Sequence, residues 1–448
     1  MLTFFVGSIG EFNLTAQTPD NFKYPYRIFM GMIPKIKKIT AREILDSKGI
    51  PTIETELSAG DFTVSAKVPS GVSTGIHEAV ELRDNDKYRY NGKGVLKAVE
   101  NVNKMLSKRI TGYECTEQSE IDKLMIELDG TENKSKLGAN AILSVSMAVC
   151  KAGALANKLG IYEYICMLAK NKKFVMPVPY MLIAEGGAHA GIENDIQEYM
   201  IVPVKFKSFQ ERLRAGVETY HKLKELLKKE FGHLGELVGY EGGLVPPIKE
   251  FEKKLEYIQR AIDNAGYTKE ISIALDCASS EFYENDTYTI RDKNFNSVEL
   301  IDYYTEISEM FGVISIEDGL GEDDWSGWQE LTKKLGNKLQ IVGDDLLVTN
   351  PERIKKAIIQ NSANAMLLKI NQIGTITESL ESSRLCYEND WKVMVSHRSG
   401  ETEDTFIADL VVGINSGQCK FGAPVRGERT AKYNRLLRIE EELFKYSN

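Results

Sequence analysis

Six short apolar runs in the second half of the chain each lead into a residue that can do chemistry. Asp276 closes ISIAL, Glu317 closes VISI, Asp344 follows LQIVG and Lys369 follows AMLL. His397 follows VMVS, and Lys420 follows a Gly-Gln-Cys turn. Beyond Glu317 these residues recur roughly every 25 positions, about the length of one strand, one helix and two loops. A parallel β/α barrel gathers the C-terminal ends of its strands on one face, where its chemistry sits. The pattern therefore predicts one pocket holding three carboxylates, two lysines and a histidine. Three clustered carboxylates repel one another unless a cation lies among them, so a hard divalent metal is implied. A lysine beside such a metal suggests proton removal from a carbon acid whose charge the metal absorbs.

The elements that would position these residues can be read coarsely. KITAREILDSKGIPTIETELSA reads as two strands around an Asp-Ser-Lys-Gly turn, and FTVSAKVPS as a third. The third strand runs into GVSTGIHE, a small-residue loop holding Ser73 and Thr74. GVLKAVENVNKMLSKRI and residues 117–128 have helical periodicity, and GANAILSVSMAVCKAGALANKLG reads as an apolar helix of small residues. The first domain, residues 36–170, is thus expected to be α+β, three strands followed by helices. The two prolines of MPVPY break any helix and mark a boundary. Residues 171–448 are expected to form the barrel, with long helices over 209–229 and 248–265 and a Gly/Pro loop around Glu241 between them.

A chain of 448 residues exceeds one barrel, which agrees with a second domain. A charged content of 27% is ordinary for a globular protein. A formal net charge of -9 without a basic stripe argues against a nucleic-acid surface, and no apolar run approaches the roughly 20 residues of a membrane span. The six cysteines show no paired metal spacing; Cys150, Cys277 and Cys419 read as buried thiols, which fits a reducing compartment. MLTFFVGSIG lacks a basic n-region and a clear cleavage site. Residues 1–35 are read as a poorly ordered extension, or as a product of start-site choice given Met30 and Met32.

DSKGIPTIE, VPSGVSTGIHEA, LDGTENKSKLGANAIL, LDCASSEF, SIED, DDLLVTNP, LLKINQIGT, SHRSGETEDTFIADLVVG and RLLRIEEEL, in this order, resemble the signatures of the enolase family. The resemblance covers about residues 36–446. It implies an enolase-type C-terminal β/α barrel and dehydration of 2-phospho-D-glycerate to phosphoenolpyruvate in glycolysis. It also implies a cytoplasmic homodimer and two Mg2+ ions per active site, the second arriving with substrate. Asp276, Glu317 and Asp344 match the family ligands of the tighter ion, and Ser73 the serine that ligates the second. Lys369 matches the base, and its pKa is expected to be depressed so that it can be neutral. Glu241 matches the acid that helps the hydroxyl leave, paired with Glu198, the two sharing a proton. His189, Ser396, His397, Arg398, Ser399 and Lys420 match residues around the substrate: Arg398 and Ser399 at its phosphate, Lys420 at its carboxylate. His77, His221 and His233 have no such match and read as surface or structural residues.

The chain departs from the family pattern beside the site. Tyr240 stands where an Asp is usual, Gly319 for Pro, Glu185 for Asn, Ala188 for Ser, Leu347 for Thr and Gly427 for Ser. Tyr240 is expected to shift the aim or pKa of Glu241, Gly319 to loosen the loop after Glu317, and Glu185 to add negative charge near the phosphate site. These departures motivate a second reading, a family paralogue that kept the fold and acts as a structural or binding protein. A third, a superfamily relative acting on a non-phosphorylated acid, is opposed by Ser73, Arg398 and Ser399.

Overall fold

The computed structural model describes residues 16–17, 33–71 and 75–445. Ser73 and most of residues 1–35 lie outside the described residues, so the expected poor order of that extension and the placement of Ser73 do too. Within the extension, Ala16–Gln17 pair antiparallel with Val175–Met176.

Three antiparallel strands open the first domain: Ile36–Leu45, Pro51–Ala59 and Phe62–Lys67. In the middle strand Ile53, Thr55, Leu57 and Ala59 are buried, the alternation that one covered sheet face requires. What covers it is the helix Ala139–Ala156. Its alanines, serines and glycine allow close approach, and Ser144 and Thr55 share a hydrogen bond of 2.6 Å across the contact. This helix is long and apolar enough to cross a membrane, but 83% of it is buried inside the fold, as a core helix should be. The interval between the helix Ile161–Leu168 and the strand Val178–Glu185 holds the prolines and is where we propose that the domains divide.

The second domain is a closed eight-stranded barrel. Its strands, in order around the barrel, are Val178–Glu185, Glu198–Pro203, Ile271–Asp276, Val313–Glu317, Gln340–Gly343, Ala365–Leu368, Lys392–Ser396 and Gln418–Lys420. The predicted Gly-Gln-Cys turn before Lys420 is therefore mostly strand, its Cys419 paired with Val395 on one side and Pro179 on the other. A further correction is direction. Glu198–Pro203 runs antiparallel to both neighbours. A reversed strand begins where its neighbours end, so Glu198 at its start lies opposite Glu185 and Asp276 at the ends of theirs. The reversal brings Glu198 to the reactive rim. Helices alternate with the parallel strands and turn sharply into them. The helix Ser297–Phe311, capped by Asn296, stops at Gly312, whose φ of 64° lets the next residue start the strand. The expected long helices are Phe209–Phe231 and Phe251–Ala265. A small sheet of Tyr283–Glu284, Thr287–Ile290 and Lys293–Phe295 was not foreseen.

Candidate active site

The strand ends and their loops line one pocket. Its walls include His189, Glu198, Glu241, Asp276, Asp344, Lys369, Ser396, His397, Arg398, Ser399 and Lys420, so most of the residues singled out from the sequence meet there. Glu317 pairs in register with Asp276 one strand over and is fully buried.

Two lysines hold the carboxylates together. Lys420 Nζ donates to Asp276 Oδ2 at 2.6 Å and Glu317 Oε1 at 2.7 Å, and lies 3.2 Å from Glu198 Oε2. Lys369 Nζ donates to Asp344 Oδ2, and Gln372 donates to Asp344 Oδ1 at 2.8 Å. Burial favours the neutral form of Lys369, but Asp344 outweighs it and the pKa is raised. The expected depression of the Lys369 pKa is thus corrected: with Asp344 as its partner the ammonium is held charged.

The lysines do not balance the site. Six carboxyl groups line the pocket, Glu198, Glu241, Asp276, Asp318, Asp344 and Asp345, against the three cations Lys369, Arg398 and Lys420. Burial, then repulsion by neighbouring carboxylates, holds Glu317, Asp318 and Asp345 well above the ordinary range. Glu317 Oε2 is buried without a hydrogen-bond partner. An excess of hard oxygen donors with an orphaned carboxylate oxygen is a chemical fit to divalent cations. Asp318, Asp344 and Asp345 also lie close enough to share an ion. Asp318 accepts the backbone N–H groups of Asp344 and Asp345, each at 2.9 Å, and so fixes the next strand end.

Across the pocket lies a different network. His397 Nδ1 is 2.6 Å from Arg429 Nη1. A guanidinium can only donate, so Nδ1 accepts, and a neutral ring must carry its proton on Nε2. Burial pushes the His397 pKa down to about 3, which keeps it neutral. Its Nε2 then faces Glu241 Oε2 at 2.9 Å, out of line for a good hydrogen bond. Burial would raise the Glu241 carboxyl, but His397, His189 and Arg429 outweigh it and hold it well below the usual range. Glu198 is moved the other way. Burial raises it well above, Lys420 opposes, and the Glu241 and Asp276 carboxylates add to the rise. Two acids in one pocket are thus pushed in opposite directions, Glu198 up and Glu241 down. His189 Nδ1 lies between them, 3.6 Å from Glu198 and 3.7 Å from Glu241.

The first domain closes one side. Ser70 and Gly400 exchange backbone hydrogen bonds of 2.7 and 2.8 Å. Ile76 N donates to Glu322 at 3.0 Å, and Glu78 pairs with Arg398 at 3.0 Å. Arg398 is therefore engaged by a protein carboxylate. A Cβ on Gly75 would lie 3.0 Å from Asp345, so Gly75 lies beside the acidic cluster.

The structure shows where four of the six departures lie and what they touch. Tyr240 is 48% exposed while Glu241 is 2% exposed, so the phenol faces out and does not hold the acid away from the pocket. Gly319 is not loose: a Cβ there would meet Ile316 at 3.0 Å and Leu331 at 3.3 Å. Glu185 does not add charge beside Arg398. It accepts the backbone N–H groups of Glu241 and Gly243. Leu347 is fully buried. Nothing in the structure explains Ala188 or Gly427. His77 contacts Asp323 at 3.1 Å, and His221 and His233 are exposed, as expected. All six cysteines are buried.

Arg429, Gln372, Glu78 and Asp318 escaped the sequence reading. The doublets Glu317-Asp318 and Asp344-Asp345 at successive strand ends were a usable signal for Asp318. Arg429 sits within the helix Gly427–Lys445 and looks there like any surface arginine, yet it is fully buried.

A barrel with one reversed strand, three carboxylates on successive strand ends and lysines among them fits a lyase of the β/α-barrel type that acts on a carbon acid. The family models for "Enolase, N-terminal domain" and "Enolase, C-terminal TIM barrel domain" match residues 36–165 and 173–448. The chain is 53% identical over 416 residues to an enolase of Methanopyrus kandleri, covering 92% of this chain and 96% of that protein. The chain belongs to the enolase family.

Proposed function

We infer that this protein is a phosphopyruvate hydratase, a hydro-lyase that interconverts 2-phospho-D-glycerate and phosphoenolpyruvate. The observation that carries the reading is one pocket holding both a strand-end lysine and a pair of acids with opposed pKa values. Lys369 takes the proton from carbon 2. It can do so only as a free amine, so Asp344 must be engaged by something other than its ammonium. Asp276, Glu317 and Asp344 would hold one Mg2+, and Ser73 would contribute to a second. When bound, the metal supplies positive charge against the carboxylate charge that grows as carbon 2 is deprotonated. Lys420 adds a fixed cation at the substrate carboxylate, and Arg398 and Ser399 bind the phosphate, Arg398 exchanging Glu78 for it. Ser396, His189 and His397 line the remaining wall. The hydroxyl on carbon 3 leaves with a proton from the Glu198/Glu241 pair, the proton resting on Glu198 and Glu241 lying against His397. A homodimer in the cytoplasm, serving glycolysis and its reversal, follows from the family resemblance.

The reading that keeps the fold without turnover loses its motive, because Tyr240 and Gly319 do not line the pocket. The test is the absorbance of phosphoenolpyruvate formed from 2-phosphoglycerate with and without Mg2+. Formation that depends on Mg2+ is expected; no formation at any Mg2+ concentration overturns the reading.

A further inference from the structure

Glu241 sits at the tip of a loop with little regular structure of its own. The loop closes through a bridge between Val238 and Leu244, and Leu244 lies against Ala184 of the first barrel strand. Its carbonyl groups are tied from outside: Ala423 N donates to Glu241 O at 3.1 Å and Tyr220 Oη to Gly242 O at 2.8 Å. Two of its tip N–H groups turn inward to one atom. Glu185 Oε1 accepts from Glu241 N at 3.1 Å and from Gly243 N at 2.7 Å.

The fit around this carboxyl is close. Glu185 is fully buried. A Cβ on Gly239 would lie 2.0 Å from Glu185 Oε2, and one on Gly243 would lie 2.8 Å from Glu185 Cγ. The loop can wrap the carboxyl because both positions are glycine. Glu185 also ends the strand Val178–Glu185 directly opposite Glu198, which starts the reversed strand. One side chain therefore joins the backbone beside Glu198 to the loop that bears Glu241.

We propose that Glu185 is a positioning residue that sets the Glu241 loop against Glu198, so that the two acids keep their relative placement while the leaving hydroxyl is protonated. The proposal rests on the reading of Glu198 and Glu241 as the acid pair. Burial first, then the Glu241 carboxylate, push the Glu185 pKa up to about 8. The two N–H donors and Arg429 pull the other way, and Glu198 and Tyr220 face the same charge. At neutral pH, Oε1 then acts as an acceptor that a glutamine also offers.

The test compares Glu185→Ala, Glu185→Asp and Glu185→Gln with the parent, all as full chains with Mg2+. Misplacing an acid by an ångström or so costs about 100-fold, so Glu185→Ala should lose turnover on that scale. Exchange of the carbon-2 proton with solvent needs the base and not the acid, and should fall by less than about threefold. KM should change little. Glu185→Asp is one methylene shorter, cannot reach both N–H groups, and should behave like Ala; it serves if the Ala variant does not fold. Glu185→Gln should retain at least about a third of parent turnover, since it keeps the acceptor. Amide hydrogen exchange over residues 238–244 should quicken in the Ala and Asp variants and stay near the parent rate in Gln. The idea is overturned if exchange and turnover fall together, if Gln is as impaired as Ala, or if amide exchange over 238–244 is unchanged in Ala and Asp. Failure of the activity reading shows in the parent itself, whereas failure of this one shows in the variants.

Discussion

The two ends of the pocket are built on different principles. At the lysine end, Asp276, Glu317, Asp344, Lys369 and Lys420 sit at or just beyond the ends of neighbouring barrel strands. Charge holds them to one another, and the barrel alone brings them within reach. At the Glu241 end, the acid is on a loop, and its surroundings come from Arg429 on the C-terminal helix, His397 after a strand, and backbone N–H groups held by Glu185. The first end is rigid in position but unsettled in charge, since its lysines occupy the carboxylates that a metal would use. The second has its two acids pushed in opposite directions by burial and neighbouring charges, and depends on several elements for its position. Removing a charge should therefore hurt the first end most, and removing a support should hurt the second.

The sharpest contrast is between Lys369→Ala and Glu241→Gln. Loss of a general base commonly costs about 100- to 10,000-fold. Lys369→Ala should fall in or beyond that range and should abolish exchange of the carbon-2 proton. Glu241→Gln should slow formation of phosphoenolpyruvate yet leave part of that exchange, because proton removal precedes loss of hydroxide. Deuterium exchange and product absorbance, measured on the same samples, separate the two. If both variants lose both readouts equally, the division of the pocket into a base end and an acid end is wrong.

Asp344→Asn tests charge at the lysine end more gently. It keeps the shape and removes one anion, so the Mg2+ concentration for half-maximal activity should rise by at least about tenfold. It also removes the partner that holds Lys369 charged, so the Lys369 pKa should fall. An unchanged Mg2+ dependence would remove Asp344 from the ligand set.

The same division explains what could be read from the sequence. Short apolar runs ending in Asp, Glu, Lys and His carry the barrel period, so Asp276, Glu317, Asp344, Lys369, His397 and Lys420 stood out. Strand direction has no such signature, and nothing in QEYMIVPV says that Glu198 starts a reversed strand. Glu185 and Arg429 act by bonding to backbone or to another side chain's ring nitrogen, and such partners are far apart in sequence. Gln372 and Glu78 are hidden for the same reason. The departures at 185, 240 and 319 were visible as departures, but their consequences depended on which way each side chain points.

Glu185 also makes a thermodynamic prediction at the acid end. Its folded-state pKa is about 8, while an unfolded glutamate titrates near roughly 4.3. Between these values the folded chain keeps a proton that the unfolded chain has released. This group's contribution to stability therefore falls as pH rises through that window and levels off above it. Glu185→Gln removes the dependence. The stability of the Gln variant relative to the parent should climb between pH 5 and pH 8, by on the order of a few kcal/mol at most. Urea unfolding at the two pH values measures it, and a pH-independent difference would show that Glu185 titrates normally.

The smallest effect is expected at Tyr240. From the sequence, a phenol in place of an anion beside Glu241 should slow the enzyme, and Tyr240→Asp should raise turnover. The structure argues otherwise. The Tyr240 side chain is half-exposed and Glu241 is buried against His397. An aspartate at 240 would sit in solvent, where screening leaves little of its influence on a buried carboxyl. A carboxyl group already lies under the loop, on Glu185, bonded to the backbone of Glu241. Tyr240→Asp should therefore change turnover by less than about twofold at any pH from 6 to 9, with the change smaller still at high salt. A clear gain that salt does not remove would mean that the loop moves enough during turnover to bring position 240 to the acid. The support that Glu185 provides would then be only part of what sets Glu241 in place.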